Sequence, residues 1–254
     1  MRLFDLTGRV AIITGGNGGI GLGMATGLCE AGAHAVLVGR SGDKGRSAVA
    51  SLAGRGWKAS FIEADITDEA ACRAVAAETE ASLGGVDILI NNAGIAIRKA
   101  PEDYTLDEWR TVMDTNLTSA FTMSQAVYAS MKARGGGKII NIGSVLALFG
   151  APFSVAYSSS KGGLVQFTKA LATAWAPANI QVNAILPGWI DTDLTVAARA
   201  QVEGLEKNVI ARVPAKRWGK VEDFAGAAIF LSSAASDFVT GATLLVDGGF
   251  AAQG

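Results

Sequence analysis

Histidine and cysteine are scarce in this chain of 254 residues, which has one histidine and two cysteines. Cys29 and Cys72 are too few and too far apart for a disulfide framework, and neither stands at metal-ligand spacing from His34. A single histidine also disfavours a Ser-His-Asp hydrolase. We therefore expect no metal site, a cytoplasmic location with reduced thiols, and a structural place for His34 at the start of a strand.

Positive and negative charges nearly cancel, since 22 basic and 23 acidic residues give a formal net charge of −1. Such a chain attracts neither nucleic acid nor an anionic membrane surface. It also has no run of about 18 apolar residues that could span a membrane. Arg2 and Asp5 precede a short apolar strand, a beginning unlike a signal peptide. The expected partner is a small-molecule substrate, with no nucleic acid and no membrane.

Apolar residues and glycine are abundant, since half of the residues are hydrophobic and 32 are glycine. Short apolar runs without polar alternation follow one another along the chain, separated by helical patterns. This alternation is typical of buried parallel strands joined by helices. Because no linker interrupts it, we predict one α/β domain over residues 1–254.

The first apolar run, residues 9–14, ends in a cluster of glycines that leads into a predicted helix at 22–31. Glycines permit a tight turn and let backbone N–H groups approach a pyrophosphate, whose negative charge the helix N-terminus favours. A second apolar run at 33–38 completes a βαβ unit of the expected length. We therefore predict a doubly wound, Rossmann-type fold with a mainly parallel seven-stranded sheet flanked by helices on both faces.

The second strand ends in Gly39, Arg40 and Ser41, where NAD-binding folds usually place an acidic residue that binds the ribose 2′-hydroxyl. An arginine can pair with a 2′-phosphate, which an acid would repel. This predicts NADP as cofactor, with NAD as the alternative. A solvated arginine is the competing interpretation, and Gly18 supplies no second basic residue. Asp65, at the end of the third strand, is expected to hydrogen-bond adenine.

The stretch from Ser144 to Lys161 carries the candidate chemistry. Tyr157 and Lys161 are four residues apart, so on a helix they share one face. An ammonium close to a phenol favours the phenolate, and we expect it to lower the Tyr157 pKa. Ser144 follows an apolar strand and could hydrogen-bond a substrate oxygen. An isolated pair of this spacing is more often a surface tyrosine and lysine, so the case depends on the rest of the chain.

The motifs together resemble those of the short-chain dehydrogenase/reductase family, in that family's order and across nearly the whole chain. They are TGxxxGxG at Thr14–Gly21, NNAG at Asn91–Gly94, the helix asparagine Asn116, the S…YxxxK set of Ser144, Tyr157 and Lys161, and PGxxxT at Pro187–Thr192.

The resemblance implies hydride transfer between a nicotinamide cofactor and a carbonyl or alcohol. Tyr157 would be the acid or base, Lys161 would lower its pKa and bind the nicotinamide ribose, Ser144 would orient the substrate oxygen, and Asn116 would hold a proton-relaying water. The expected cofactor-binding residues are Gly15, Asn17, Gly19, Ile20, Gly21, Arg40, Ser41, Asp65, Ile66, Asn92, Ala93, Gly94, Tyr157, Lys161, Pro187, Gly188, Ile190 and Thr192.

The family resemblance also implies a homotetramer. Two long predicted helices, 105–133 and the one that ends near 175, have more apolar residues than one buried face needs, which favours subunit packing. Residues 190–217 are expected to form a helical substrate lid.

Local similarity to bacterial sugar-acid dehydrogenases of the family predicts a sugar acid or keto sugar as substrate. Arg98 could bind its carboxylate and Trp189 could flank it, although a solvated arginine and a buried tryptophan are the alternatives. A reductase of 3-oxoacyl thioesters or small ketones is the main alternative function, followed by a non-enzymatic dinucleotide-binding regulator.

Overall fold

The computed structural model describes residues 2–253, which contain seven strands in one sheet. The strand order is β3-β2-β1-β4-β5-β6-β7, and every neighbouring pair is parallel. This confirms the predicted doubly wound α/β fold, with a sheet that is parallel throughout. The strands are β1 (Val10–Thr14), β2 (His34–Gly39), β3 (Ala59–Glu63), β4 (Ile88–Asn91), β5 (Gly137–Ile142), β6 (Ile180–Pro187) and β7 (Thr243–Val246).

Helices connect the strands, and their boundaries follow local capping signals. The Asp68 carboxylate, for example, accepts a hydrogen bond from the Ala70 N–H and caps the helix after β3. Within residues 2–253 the α-helices are α1 (Gly19–Glu30), α2 (Gly42–Ala53), α3 (Glu69–Leu83), α4 (Leu106–Met113), α5 (Ser119–Ala133), α6 (Val155–Trp175), α7 (Asp193–Gln201), α8 (Leu205–Arg212) and α9 (Ala225–Ser232).

The central strands are buried on both faces, as their unbroken apolar runs predict. Successive side chains of a strand point to opposite faces. Ile13 accordingly packs in one core with Met24 of α1, while Ile12 packs in a second core with Val75 of α3 and Met123 of α5. The helices therefore cover both faces and leave the carboxyl edge of the sheet open for a site.

The strand order reverses between β1 and β4, which are direct neighbours in the sheet. Open α/β sheets bind ligands at the carboxyl ends of the strands beside such a switch point. The glycine turn that follows β1 and the Asn92–Gly94 segment that follows β4 must meet there. The topology thus brings together two motifs that are far apart in sequence.

The single helix predicted over residues 105–133 is interrupted. Residues Asp114–Thr118 form a π-helical turn between α4 and α5, and Asn116 lies within it. Inserted π turns are frequent at functional positions because they redirect one side chain. Here the Asn116 side chain is directed inward, where its Oδ1 accepts from the Ile95 N–H at 2.8 Å.

Neither a membrane-spanning helix nor a metal-binding cluster is found in the described part of the chain. No helix between residues 2 and 253 combines the length and the apolar character that crossing a membrane requires. Over the same range, no group of three or more histidine, cysteine or acidic side chains is arranged to hold a metal ion.

Candidate active site

The glycine turn after β1 is built for close approach. Gly15 and Gly19 have φ values of +62° and +51°, the left-handed region that favours glycine. At Gly21 a Cβ atom would lie 2.4 Å from the Gly15 oxygen and 2.5 Å from the Asn92 Nδ2. No larger residue fits at Gly21, so the start of α1 packs directly against the turn and its N-terminus faces the carboxyl edge.

An open cavity of about 670 Å³ runs along the carboxyl edge from this turn to Tyr157. It unites most of the residues that the sequence predicted for cofactor binding, together with Ser144. The predicted residues that line it are Gly15, Asn17, Gly19, Ile20, Asn92, Ala93, Gly94, Ser144, Tyr157, Lys161, Pro187, Gly188, Ile190 and Thr192.

Five predicted cofactor residues lie outside the cavity lining. Gly21 packs the turn, and Ser41 caps α2 by accepting from the Lys44 N–H. Arg40 is exposed, with its guanidinium 3.9 Å from the Asp65 carboxylate. Hydrogen bonds from the Thr67 N–H and hydroxyl lower the pKa of Asp65. Ile66 is buried in the core. Arg40 and Asp65 nevertheless lie together at the β2–β3 end of the same edge, where an adenosine would extend.

Tyr157 and Lys161 lie on α6, one turn apart, with the Lys161 Nζ 5.7 Å from the centre of the Tyr157 ring. The Lys161 Nζ donates a hydrogen bond of 2.7 Å to the carbonyl of Ile142, the last residue of β5. Ser144 follows two residues later, and its hydroxyl accepts from the Leu146 N–H. The end of β5 therefore fixes both Ser144 and the ammonium next to the tyrosine.

The expected lowering of the Tyr157 pKa by Lys161 is wrong. Burial raises the Tyr157 pKa, and only the hydrogen bond of Ser144 and the charge of Arg98 act against it. Burial also lowers the pKa of Lys161 to about 8. The physical reason is that both groups are buried, and desolvation disfavours the charged form of each, the phenolate and the ammonium. The phenol is therefore protonated at neutral pH.

Asn116 is buried, and both of its amide hydrogens have acceptors within the protein. Its Nδ2 donates to the Ile95 carbonyl and to the Ser160 hydroxyl, each at 3.0 Å, and its Oδ1 accepts from the Ile95 N–H. A Cβ placed on Gly94 would lie 3.3 Å from the Asn116 Oδ1 and 3.4 Å from the Lys161 Nζ. Asn116 and Lys161 thus approach Gly94 so closely that a methyl group there would fit only tightly.

Arg98 and Trp189 line a smaller cavity of about 60 Å³ beside Ser144 and Tyr157. The half-buried Arg98 guanidinium donates to the Leu194 carbonyl at 3.2 Å and to the Gln201 Oε1 at 3.3 Å, both on α7. Burial lowers the pKa of Arg98. Arg98 is therefore no solvated loop residue, since it lies between the tyrosine and α7.

Trp189 lies between the small cavity and a second tryptophan. Its ring lines the small cavity and also meets the Trp218 ring edge-on, with 5.9 Å between centres. The indole nitrogens of both rings are buried, and no hydrogen-bond partner is found for either among the described residues.

Some cavity residues were not predicted from the sequence. Lys44, in the first turn of α2, lines the large cavity with Gly18, although its closeness to Arg40 in sequence was an available signal. Asp193 and the residues after it line the cavity because α7 begins directly behind Thr192. The residues missed are Gly18, Lys44, Ile142, Gly143, Asp191, Asp193, Leu194, Thr195 and Val221 in the large cavity and Ala96, Val145, Leu146, Phe153 and Ser154 in the small one.

The glycine turn at a sheet switch point defines the class, a doubly wound dinucleotide-binding α/β protein. A family model described as enoyl-(acyl carrier protein) reductase matches residues 15–251. The gluconate 5-dehydrogenase of Gluconobacter oxydans is 42% identical over 247 residues, which cover 97% of this chain and 96% of the relative. The 2-dehydro-3-deoxy-D-gluconate 5-dehydrogenase of Formosa agariphila is 43% identical over 251 residues, covering 98% and 95%.

A solved gluconate 5-dehydrogenase from Burkholderia cenocepacia, in complex with NADP and tartrate, is similar with a TM-score of 0.95 at 42% identity. The match covers 100% of this chain and 99% of that one. The chain belongs to the short-chain dehydrogenase/reductase family of oxidoreductases. This confirms the resemblance that the motifs predicted.

Burial of the Lys161 ammonium should cost stability. A pKa lowered from 10.5 to about 8 corresponds to about 3 kcal/mol against the charged form, and the hydrogen bond to Ile142 returns about 1 kcal/mol. We therefore expect Lys161→Met to be about 1–2 kcal/mol more stable than the parent protein at pH 7 without added dinucleotide. Urea denaturation measures this difference.

The lowered pKa of Lys161 also determines how this stability difference changes with pH. Between about pH 8 and 10.5 the unfolded lysine binds the proton more tightly than the folded one, so the parent protein gains stability as pH rises. The advantage of the variant should shrink from pH 7 to pH 9.5. Lys169→Met, at an exposed position of α6, is the matched control and should change little. An advantage that is constant with pH would contradict the buried charge.

Proposed function

We propose that this protein transfers a hydride between NADP(H) and the carbonyl or alcohol of a sugar acid or related keto sugar. The observation that carries the proposal is that Ser144, Tyr157 and Lys161 line the same cavity as the glycine turn. One ligand that extends along this cavity can contact the turn with its phosphates and the catalytic tyrosine with its other end.

The residues present fit a dinucleotide. Gly15 and Gly19 line the cavity at the N-terminus of α1, and Gly21 keeps the turn closely packed there, since a Cβ on it would lie 2.4 Å from the Gly15 oxygen. Arg40 offers a fixed positive charge at the β2 end of the edge, and an acidic residue is absent from the position after Gly39 where NAD-binding folds place it. Solved relatives from Burkholderia cenocepacia and Agrobacterium tumefaciens contain NADP, which supports NADP over NAD.

The cofactor residues of the proposal are the glycine turn with Asn17 and Ile20, the Asn92–Gly94 segment and the loop from Pro187 to Thr192. Ser41, Asp65 and Ile66 belong to it as neighbours of the adenosine end.

In the proposed mechanism NADP(H) supplies or accepts the hydride, and side chains of the protein transfer the proton. The Ser144 hydroxyl orients the substrate oxygen next to Tyr157. The protonated phenol gives its proton to that oxygen during reduction and takes it back during oxidation. Lys161 binds ribose hydroxyls and passes the proton onward, and Asn116 positions a water on that route. Because its pKa is raised, Tyr157 suits carbonyl reduction at neutral pH and alcohol oxidation at higher pH.

The substrate assignment depends on Arg98. A guanidinium next to the tyrosine can pair bidentately with a carboxylate, and the cavity next to it, of about 60 Å³, suits a small substrate group. The relatives named above act on gluconate derivatives by their names, and one contains tartrate, a hydroxy acid. Trp189 would form the apolar wall of the pocket.

Residues 190–217, mainly α7 and α8, form the proposed lid of the single domain 1–254. The core of this segment is small, with Ile190, Ala198, Leu205, Val209 and Val213 as its buried apolar members. Its polar contacts to the rest of the chain include those of Arg98 to α7. A segment with few buried apolar contacts opens at low cost, which a substrate pocket beneath it requires.

The first test follows NADPH oxidation with keto sugar acids, 3-oxoacyl thioesters and small ketones at several pH values. Keto sugar acids should give the highest kcat/KM, and reduction should slow as pH rises towards the pKa of Tyr157. If 3-oxoacyl thioesters are the best substrates, the alternative reductase function is correct and the sugar acid is wrong.

Tyr157→Phe should keep dinucleotide binding and lose turnover by a factor of about 10² or more. The matched control is Tyr128→Phe, remote from the cavity and packed on Trp175, which should keep full activity. Near-normal kcat in Tyr157→Phe would remove the tyrosine from the mechanism, and turnover with no substrate in the parent protein would favour a non-enzymatic regulator.

The carboxylate role of Arg98 has a separate test. Arg98→Gln should raise KM for a keto sugar acid by about 10-fold or more, the value of a charge-assisted pair, and change KM for an uncharged ketone of similar size by less than about twofold. Lys99→Gln is the control, since Lys99 pairs with Glu108 away from the pocket. An equal rise with both substrates would mean that Arg98 acts through α7 and not on the carboxylate.

The assembly is proposed to be a cytoplasmic homotetramer. Phe121 on α5 and Phe167 on α6 meet edge-on, and Phe121 is 45% exposed. Leu245 on the edge strand β7 is also exposed, at 42%. These apolar surfaces favour subunit contacts. Light scattering at micromolar concentration should give four times 26.0 kDa, whereas a monomer mass would overturn the proposal.

Both cysteines are free and buried, which suits the cytoplasm. Cell fractionation can check this location.

A further inference from the structure

Lys44 occupies a position at the cavity that no motif of the sequence predicts. It is the third residue of α2, and its N–H donates to the capping hydroxyl of Ser41 at 3.4 Å. Its side chain lines the large cavity with Gly18 and Gly19 of the glycine turn. Lys44 therefore adds, at the β2 end of the carboxyl edge, the second basic residue that Gly18 does not supply.

The geometry of β2 locates this corner relative to the turn. A Cβ on Gly39 would lie 2.8 Å from the Asn17 Nδ2, so the end of β2 packs directly on the glycine turn. Arg40 comes next, followed by Ser41 and the first turn of α2. A ribose bound between the turn and the end of β2 would have Arg40 and Lys44 as its cationic neighbours.

Both cations have weak partners in the structure. The Lys44 Nζ lies 3.6 Å from the Asp193 carboxylate, and the Arg40 guanidinium lies 3.9 Å from that of Asp65. The side chains of Lys44 and Asp193 are 68% and 100% exposed. Exposed ion pairs contribute little, about 0–1 kcal/mol. A phosphate monoester carries about −1.5 to −2 charges and three acceptor oxygens, so it competes successfully with one exposed carboxylate.

We propose that Lys44 is a second specificity-determining residue for the 2′-phosphate of NADP, acting with Arg40, and that it leaves Asp193 to bind this phosphate. The proposal rests on the proposed function, because it concerns the same cofactor. It also joins cofactor choice to the lid, since Asp193 is the first residue of α7.

Two fragments of the cofactor separate the phosphates. Adenosine 2′,5′-bisphosphate contains the 2′-phosphate without a diphosphate, and adenosine 5′-diphosphate contains the diphosphate without the 2′-phosphate. Isothermal titration with each gives a dissociation constant that does not depend on turnover. In Lys44→Gln we expect about tenfold weaker binding of the bisphosphate and less than a twofold change for the diphosphate.

Matched variants isolate the position. Arg46→Gln removes the same charge from the same helix, but Arg46 pairs with Asp43 and does not line the cavity. It should change either affinity by less than about twofold. Arg40→Asp should weaken the bisphosphate as Lys44→Gln does. Equal losses of both fragments in Lys44→Gln would assign Lys44 to the diphosphate and overturn the proposal, as would no loss.

The exchange from Asp193 is tested by a double-mutant cycle. Asp193→Asn removes the competing carboxylate and should tighten the bisphosphate by up to about fivefold, the worth of an exposed pair. The gain should disappear when Lys44→Gln is present. A gain of the same size in both backgrounds would show that Asp193 acts by general repulsion, and the exchange would be wrong.

The parent protein separates this inference from the proposed function. It should bind the bisphosphate more tightly than the diphosphate. If it shows no such preference, NADP is not the selected cofactor and the proposed function fails in that respect. If the preference is present and Lys44→Gln leaves it unchanged, only the role of Lys44 fails.

Discussion

The hydrogen bonds between the ends of β1 and β4 are the constraint on which the site depends. The Thr14 hydroxyl oxygen accepts from the Asn92 and Ala93 N–H groups at 3.0 and 3.1 Å, and the Asn92 amide donates to the Thr14 and Gly15 carbonyls. These bonds hold the glycine turn against the next loop at the switch point. Gly21 packs on the same amide, and Gly15, Gly18 and Gly19 of the turn line the cavity.

Catalytic chemistry and stability oppose each other at the other end of the cavity. Lys161 is buried at the end of β5 beside a phenol, with one carbonyl as its hydrogen-bond acceptor. Desolvation disfavours its charge, which is why its pKa falls. The ammonium has donors left over, which in the proposed function bind the ribose hydroxyls. The fold tolerates this cost because the surrounding strands of the sheet are apolar and tightly packed.

The segment α7–α8 links the two halves of the site. Arg98 contacts it from the side of the tyrosine, and Lys44 contacts its first residue, Asp193, from the side of the glycine turn. Both contacts use cationic side chains, and the proposed cofactor and substrate both bear anionic groups. The Arg98 and Lys44 side chains can therefore contact either the α7–α8 segment or an anionic group of a ligand. This competition would couple ligand binding to the position of the segment.

The sequence by itself determined the strands, the glycine turn, the family and the positions of Ser144, Tyr157 and Lys161, because these follow from local periodicity, glycine geometry and motif order. Only the tertiary structure decided what depends on distant neighbours. The Tyr157 pKa is raised because burial, which no spacing reveals, outweighs a nearby charge. Asn116 lies in a π turn from which its side chain binds the distant Ile95 backbone, and Lys44 of α2 lines the same cavity as the glycine turn.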